Sequence, residues 1–313
     1  ETTNVSPHWL EKGNQMDKIL VVSNHSRNTY INTTAEAQNQ QTGEILDYKL
    51  KTPIDVVWEN TPLAENTEDI NCFEPKHDFN FLCISQMGPR KNLENTIKWF
   101  VEEFVDQEVG LIVKTNTKGN SRIDLEYTER SLKAILAPYA DRKCSVSLLH
   151  GDLSEGQMRA PYEHDKIKAM VNISHGEGFG LPLFEAARLG LPIISIGWSG
   201  QLDFLGDKFL QVKHELKLVQ RHAVWQGVIQ QDSQWAYADQ GSYKMAIRMM
   251  KNKYDDFLGQ AGELKESISQ NFSDKVLFDR FCNSILGKCN LEPEEVKNIS
   301  FCISTNGAKP EKT

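Results

Sequence analysis

Short apolar runs alternate with amphipathic stretches along most of the chain. The runs are continuously apolar, a pattern typical of parallel strands whose two sheet faces are both covered. Between two of them, the stretch 92–105 places Ile97, Phe100, Val101 and Phe104 on one helical face. On this basis we predict strands at 18–23, 79–85, 110–115, 145–150, 169–173 and 192–196.

Segments with helical periodicity lie between these strands and after the last of them. Strands that alternate with helices predict an α/β fold, here a Rossmann-like doubly wound parallel sheet, over residues 78–287. Residues 1–77 fit this pattern less well, with one clear strand, another candidate at 54–58 and a polar, linker-like stretch at 60–78. The predicted helices are 9–15, 92–105, 128–140, 182–189, 242–258, 261–270 and 274–286.

Size and charge narrow the functional classes. A chain of 313 residues with 39% hydrophobic residues can form one large or two ordinary domains. The net charge of -8 argues against a nucleic-acid binder, which is usually basic, but it permits an anionic ligand held by local donors. No apolar run reaches the roughly 18 residues of a spanning helix. The six cysteines lack zinc-ligand spacing, and we expect reduced thiols in the cytoplasm.

The candidate chemistry is concentrated in one Gly-rich turn. A predicted strand ends near Ser174, and Gly176, Gly178 and Gly180 follow before Pro182 begins a helix. The turn therefore lies at the carboxyl end of a parallel strand, which is where open α/β sheets bind ligands. Free N–H groups and the helix dipole favour an anion there.

Two carboxylates frame this turn with the spacing E-x7-E. Glu177 lies in the turn, and Glu185 lies about one helical turn past Pro182, so that both can face the same cleft. A carboxylate accepts paired hydrogen bonds from vicinal hydroxyls, which suits a ribose or a hexose. Spacing alone leaves a purely structural turn with surface glutamates equally open.

The stretch from His175 to Glu185, H-G-E-G-F-G-L-P-L-F-E, closely resembles the signature of the retaining GT-B glycosyltransferases of family four, group 1. That family's donor-binding C-terminal domain contains segments similar to two others in this chain, F-L-C-I-S-Q-M-G-P-R-K-N-L and G-W-S-G-Q-L-D-F-L. The resemblance covers about residues 78–286. It implies that residues 1–77 are an incomplete acceptor-side portion with a linker. Residues 288–313 are interpreted as a tail or as the start of a family-two GT-A domain. The second interpretation is based on residues 297–313, which resemble the opening strand of such a domain.

The resemblance also implies a role for each matching residue. Glu177 would be catalytic, in contact with the donor sugar near the reacting centre. Lys91 would neutralise the donor diphosphate, and Glu185 would bind the ribose hydroxyls. The family usually has an arginine where this chain has Gln86, and Arg90 is either its replacement or a solvated loop charge. The donor-binding set is therefore Gln86, Arg90, Lys91, Gly178, Phe179, Gly180, Leu181 and Glu185.

The implied function is transfer of a sugar, with retention, from a UDP- or GDP-linked donor to a glycan, lipid or other acceptor. No Asp-x-Asp motif occurs in the core domain, so we expect no metal and no other cofactor. Two alternatives stay open, a nucleotide-sugar-binding module without transferase activity and a GT-B-fold nucleotide-sugar epimerase. We expect a cytoplasmic protein, or one peripheral to a membrane. His150 is a further candidate for the nucleotide site, while His175 has both a structural and a cleft-facing interpretation.

Overall fold

A computed structural model describes residues 1–38, 41–61, 64–71 and 73–287. The segment 288–313, with its predicted strand-like run and its resemblance to a GT-A domain, lies outside the described residues. So do Cys72, Cys289 and Cys302. The other three cysteines, Cys83, Cys144 and Cys282, are free thiols.

The amino-terminal portion forms two small sheets. β1 and β4 pair in parallel, as expected for the candidate strands at 18–23 and 54–58, while β2 and β3 form an antiparallel pair that periodicity did not predict. The predicted helix at 9–15 begins two residues earlier. The elements are α1 (Pro7–Gly13), β1 (Ile19–Val21), α2 (Asn24–Asn32), β2 (Ala35–Gln38), β3 (Ile45–Tyr48) and β4 (Ile54–Val56).

A six-stranded parallel sheet forms the centre of the molecule, with the order β10-β9-β8-β5-β6-β7. Numbered within the sheet, this is the order 6-5-4-1-2-3 of doubly wound nucleotide-binding domains, so the predicted fold class is confirmed. Five of its strands were predicted, and the sixth, β10, was not. The strands are β5 (Asn80–Ile84), β6 (Gly110–Lys114), β7 (Ser145–Leu149), β8 (Ile167–Asn172), β9 (Ile193–Ile196) and β10 (Leu210–Val212).

Helices cover both faces of this sheet. Alternate residues of β5 point to opposite faces, so Phe81 and Cys83 join one buried cluster, and Leu82 and Ile84 join the other. β11 (His214–Leu218) and β12 (Gln234–Ala238) form a separate antiparallel pair. The helices are α3 (Leu93–Phe104), α4 (Arg122–Leu136), α5 (Glu155–Glu163), α6 (Leu181–Leu189), α7 (Leu202–Leu205), α8 (Gln240–Asn252), α9 (Tyr254–Asn271) and α10 (Asp274–Leu286).

Two helix predictions were wrong in their limits. The helix predicted at 128–140 begins at Arg122, because the Ser121 side chain accepts a hydrogen bond from the Asp124 N–H and caps an earlier turn. The helix predicted at 242–258 is interrupted at Lys253 (φ −131°, ψ 36°), so α8 ends there and α9 includes the segment predicted separately at 261–270.

The last helix returns to the amino-terminal portion. Arg280 of α10 lies 3.9 Å from the Trp58 ring centroid, and its Nε donates to the Val56 carbonyl at 2.6 Å. The linker-like stretch 60–78 has no regular secondary structure where it is described, and it packs on α5, where Arg159 donates to the Ala64 carbonyl at 2.6 Å.

Among the helices that the structure describes, none has the length and apolar character needed to cross a membrane.

Candidate functional site

The strand order of the central sheet reverses between β5 and β8. In doubly wound folds this switch point opens a crevice beyond the carboxyl ends of the strands. The loops that leave the two strands are joined there, because the His175 N–H donates to the Arg90 carbonyl at 2.7 Å and the Asn92 side chain donates to the Ile173 carbonyl at 3.1 Å. Loop 85–92 and the Gly-rich turn thus border one site.

The Gly-rich turn leads directly into α6. Gly180 has φ 98° and Gly190 has φ 82°, so a left-handed glycine stands at each end of the helix, and the stop predicted at Gly190 is confirmed. The turn is also tightly enclosed, since a Cβ on Gly200 would lie 1.9 Å from the Gly178 carbonyl oxygen. The first N–H groups of α6 have no acceptor within the helix and are available to a ligand.

Glu177 is held at the centre of this arrangement. Its side chain is 5% exposed, and Lys91 Nζ lies 2.7 Å from both carboxylate oxygens. Arg90 Nη1 lies 3.2 Å from Oε2, and Ser174 Oγ donates to Oε1 at 2.7 Å. Residues 86 positions apart in the chain are therefore joined in one buried ion-pair network.

The charge of Glu177 follows from these neighbours. Burial by itself raises the pKa of a carboxyl, but the charges of Lys91 and then Arg90 outweigh it, so the pKa of Glu177 is lowered from its ordinary value. Glu177 is consequently an ionised carboxylate at neutral pH.

Glu185 has different partners. Tyr162 donates its hydroxyl to Oε2 at 2.7 Å, and Thr61 donates to Oε1 at 3.1 Å. Burial raises the pKa of Glu185, and the hydrogen bonds from Tyr162 and Thr61 only partly oppose that rise. The hydrogen bonds of the described residues thus place the two carboxylates of the E-x7-E motif in separate groups.

A cavity of about 330 Å³ opens beside the start of α6. Glu185 is one turn beyond Pro182 on α6, and Tyr162 is one turn beyond Met158 on α5, so this pair lies next to the wall that Pro182 and Met158 form. The cavity is lined by Ile84, Ser85, Gln86, Lys91, Lys114, Thr115, Asn116, Met158 and Pro182.

The structure brings together most of the residues that were singled out in the sequence. Gln86 and Lys91 line the cavity, whereas Arg90 points to Glu177 and to the Gly176 carbonyl. Phe179 is buried between Phe184 and Phe204, so only its backbone can meet a ligand. Leu181 is the first residue of α6, while Gly178 and Gly180 form the turn before it.

The two histidines that were singled out have structural partners. His150 Nε2 lies 2.9 Å from Asp124, whose carboxylate also accepts the N–H groups of Thr117 and Lys118. His150 is not among the residues that line the cavity. His175 stacks on Trp235 with ring centroids 5.5 Å apart. Both histidines therefore stabilise loops around the site.

Among the residues of the site that sequence reasoning missed are Lys114, Met158 and Ser174. A signal existed for Lys114, which is the one charged residue that ends an otherwise apolar predicted strand. Met158 lies on α5, which was not predicted. Over the described ranges, no group of three or more His, Cys, Asp or Glu residues could hold a metal ion.

With this geometry established, residues 128–276 match the model of a family described as "Family 4 Glycosyltransferase in conflict systems". This part of the chain is therefore similar to family 4 glycosyltransferases. A search of curated proteins finds no significant match.

Solved structures share the fold of this chain at low sequence identity. Sucrose-phosphate synthase from Thermosynechococcus elongatus aligns with 90% of the chain and 61% of its own length (TM-score 0.59, 14% identity). "Trehalose-6-phosphate from E. coli bound with UDP-2-fluoro glucose" aligns with 91% and 63% (0.54, 12%). Pneumococcal O-GlcNAc transferase GtfA, in complex with UDP and GlcNAc, aligns with 90% and 47% (0.52, 13%). The chain thus spans less than two thirds of each.

Proposed function

We propose that this chain transfers a sugar, with retention and without a metal, from a UDP- or GDP-linked donor to a glycan, lipid or other acceptor. The observation that carries the proposal is the cavity at the switch point, where Lys91, Lys114 and the start of α6 converge beside the buried carboxylate of Glu177. The family 4 match supports the same reaction class.

The cavity suits a diphosphate. When the bond from the sugar to the diphosphate breaks, the leaving group gains negative charge. Lysine ammonium groups and the N–H groups of a helix start stabilise such charge most strongly when they are already in place. Lys91 and Lys114 both line the cavity, and so does Pro182 in the first turn of α6.

The two glutamates suit the rest of the donor. Glu177 is ionised and fixed by Lys91, which lines the cavity, and we assign Glu177 the contact with the sugar beside the breaking bond. Glu185 accepts one hydrogen bond on each oxygen, from Tyr162 and Thr61. A carboxylate has about four acceptor positions, so Glu185 retains room for two ribose hydroxyls.

Two of the solved structures with this fold were determined with UDP or a UDP sugar bound. At 12% and 13% identity they do not define the donor of this chain, but they make UDP sugars the first probes. The unpaired thiols of Cys83, Cys144 and Cys282 support a cytoplasmic location, either free or peripheral to a membrane.

A second candidate function is donor binding without transfer. It is favoured by the small amino-terminal parallel sheet, in which, among the described residues, β1 pairs with β4 alone. A donor domain can hold a nucleotide sugar, whereas transfer also requires an acceptor beside it.

One experiment separates these functions. The chain is titrated calorimetrically with UDP-glucose, UDP-N-acetylglucosamine, GDP-mannose and GDP-fucose, and bound donors are then assayed for hydrolysis and for transfer to added acceptors. Turnover supports the transferase, while binding without turnover supports the binding module. Conversion of the donor to its epimer would show that the chain is a nucleotide-sugar epimerase. If no donor binds, both proposed functions are rejected.

A further inference from the structure

The positive charges around the cavity are not equivalent. Lys91 Nζ contacts both oxygens of Glu177, so the charge of Lys91 is already matched. Lys114 also lines the cavity, but its Nζ donates to a neutral acceptor, the Gly151 carbonyl, at 2.8 Å. Within the described ranges no ion pair joins Lys114 to a carboxylate. The ammonium group of Lys114 is therefore the cavity's unmatched charge.

Burial makes this charge costly in the absence of an anion. Lys114 is partly buried at the carboxyl end of β6, and burial lowers its pKa despite the charge of exposed Asp152. An anionic group inside the cavity would offset that cost, because a lysine ammonium gains most from an opposite charge where water is partly excluded.

Lys114 also lines the same cavity as Gln86, the position at which the resemblance predicts an arginine. β5 and β6 pair in register, with Ile84 opposite Lys114, and the pairing continues past the end of β5. The Ser85 N–H donates to the Lys114 carbonyl at 3.1 Å, and the Met87 N–H donates to the Asn116 carbonyl at 2.8 Å. Gln86 is thus held opposite Asn116, two residues past Lys114, and Gln86 and Lys114 line the same cavity.

Arg90 is less suited to replace the missing arginine. Its guanidinium contacts Glu177 and the Gly176 carbonyl, and also Glu1 at 3.1 Å. It is absent from the residues that line the cavity, whereas Gln86 and Lys114 both line it.

We propose that Lys114 binds the diphosphate of the donor and supplies, from the next strand, the positive charge that Gln86 lacks. This inference rests on the proposed function and extends it to a specific residue. It predicts that the charge can be moved from position 114 to position 86 with most of the diphosphate affinity retained.

The test uses calorimetric titration of the full chain with UDP and GDP, and with uridine and guanosine as uncharged counterparts. Lys114→Gln keeps a hydrogen-bond donor for the Gly151 carbonyl but removes the charge. We expect about a ten-fold or greater loss of diphosphate affinity and a change of less than about two-fold for the nucleoside.

Gln86→Arg in the Lys114→Gln background should restore most of the loss. Lys114→Arg should retain most of the affinity. Exposed Lys118 provides the control, since Lys118→Gln should leave binding unchanged.

The possible outcomes separate a failure of the role of Lys114 from a failure of the proposed function. Diphosphate binding that is unaffected by Lys114→Gln overturns the role of Lys114 and leaves the proposed function standing. Equal losses for the diphosphate and the nucleoside also overturn it, because they indicate a structural defect, which thermal unfolding of Lys114→Gln and Lys114→Arg would reveal. If the unaltered chain binds neither diphosphate, both the proposed function and the role of Lys114 are rejected.

Discussion

Glu177 and Glu185 belong to one motif, yet the structure gives them opposite electrostatic surroundings. Lys91 and Arg90 hold Glu177 ionised in an almost fully buried position. Glu185 is held by two neutral hydroxyls, from Tyr162 and Thr61, and burial raises its pKa. The charge of a carboxylate therefore depends on its spatial neighbours and not on the spacing of the motif. Four predictions test this contrast between Glu177 and Glu185.

The largest effect should follow from Glu177→Gln. Breaking a buried ion pair leaves Lys91 without its carboxylate, and we expect the free energy of unfolding to fall by about 3 kcal/mol. This is the lower end of the range for buried pairs, because Lys91 is still 19% exposed. Urea denaturation measures the change. Glu129→Gln breaks an exposed pair with Lys133 and should cost less than about 0.5 kcal/mol. Equal losses of unfolding free energy in Glu177→Gln and Glu129→Gln would show that the buried pair of Glu177 is no stronger than an exposed one.

Lys91→Ala should affect binding selectively. The binding free energy of a nucleoside diphosphate should weaken by about 2 kcal/mol, and that of the nucleoside by clearly less, because the lysine charge acts on phosphate. Calorimetry with UDP and uridine measures both. Lys98→Ala, which alters an exposed lysine of α3, serves as the control. Equal losses for the two ligands would reject the diphosphate role.

Glu185→Ala should show the complementary pattern. Loss of a ribose contact should weaken the nucleoside and the diphosphate alike, by about 1–3 kcal/mol. Tyr162→Phe is the matched control, since it removes a donor to Glu185 but keeps the carboxylate. Unchanged affinity in Glu185→Ala would rule out ribose binding at this position.

The smallest effect should be a difference in pH dependence. The lowered pKa of Glu177 contributes stability that is present above its ordinary value of 4.5 and is lost as the pH falls through the lowered pKa. The raised pKa of Glu185 has the opposite sign, so its contribution is fully present below 4.5 and is lost as the pH rises through the raised pKa. Urea denaturation of Glu177→Gln and Glu185→Gln from about pH 2 to 8 should therefore give stability differences from the unaltered chain with opposite slopes. Slopes of the same sign would contradict the assignments.

The accuracy of the sequence predictions depended on how local each feature was. β5, β6 and β8 were predicted from continuous apolar runs because both faces of these strands are buried. β11 was missed because four of its five residues are exposed, so it carries no burial pattern. The break between α8 and α9 was also missed, since no glycine or proline marks Lys253.

In the candidate site, the Gly-rich turn, the start of α6 and the two carboxylates were predictable from the sequence, because backbone conformation and helix caps are local properties. The pairing of each carboxylate with a cation was not predictable, because it depends on the fold. Strand order joined Lys91 to Glu177 across the switch point and brought Lys114 and Gln86 to the same cavity. These contacts set the charges of the site, and they arise between strands that are distant in the chain and adjacent in the sheet.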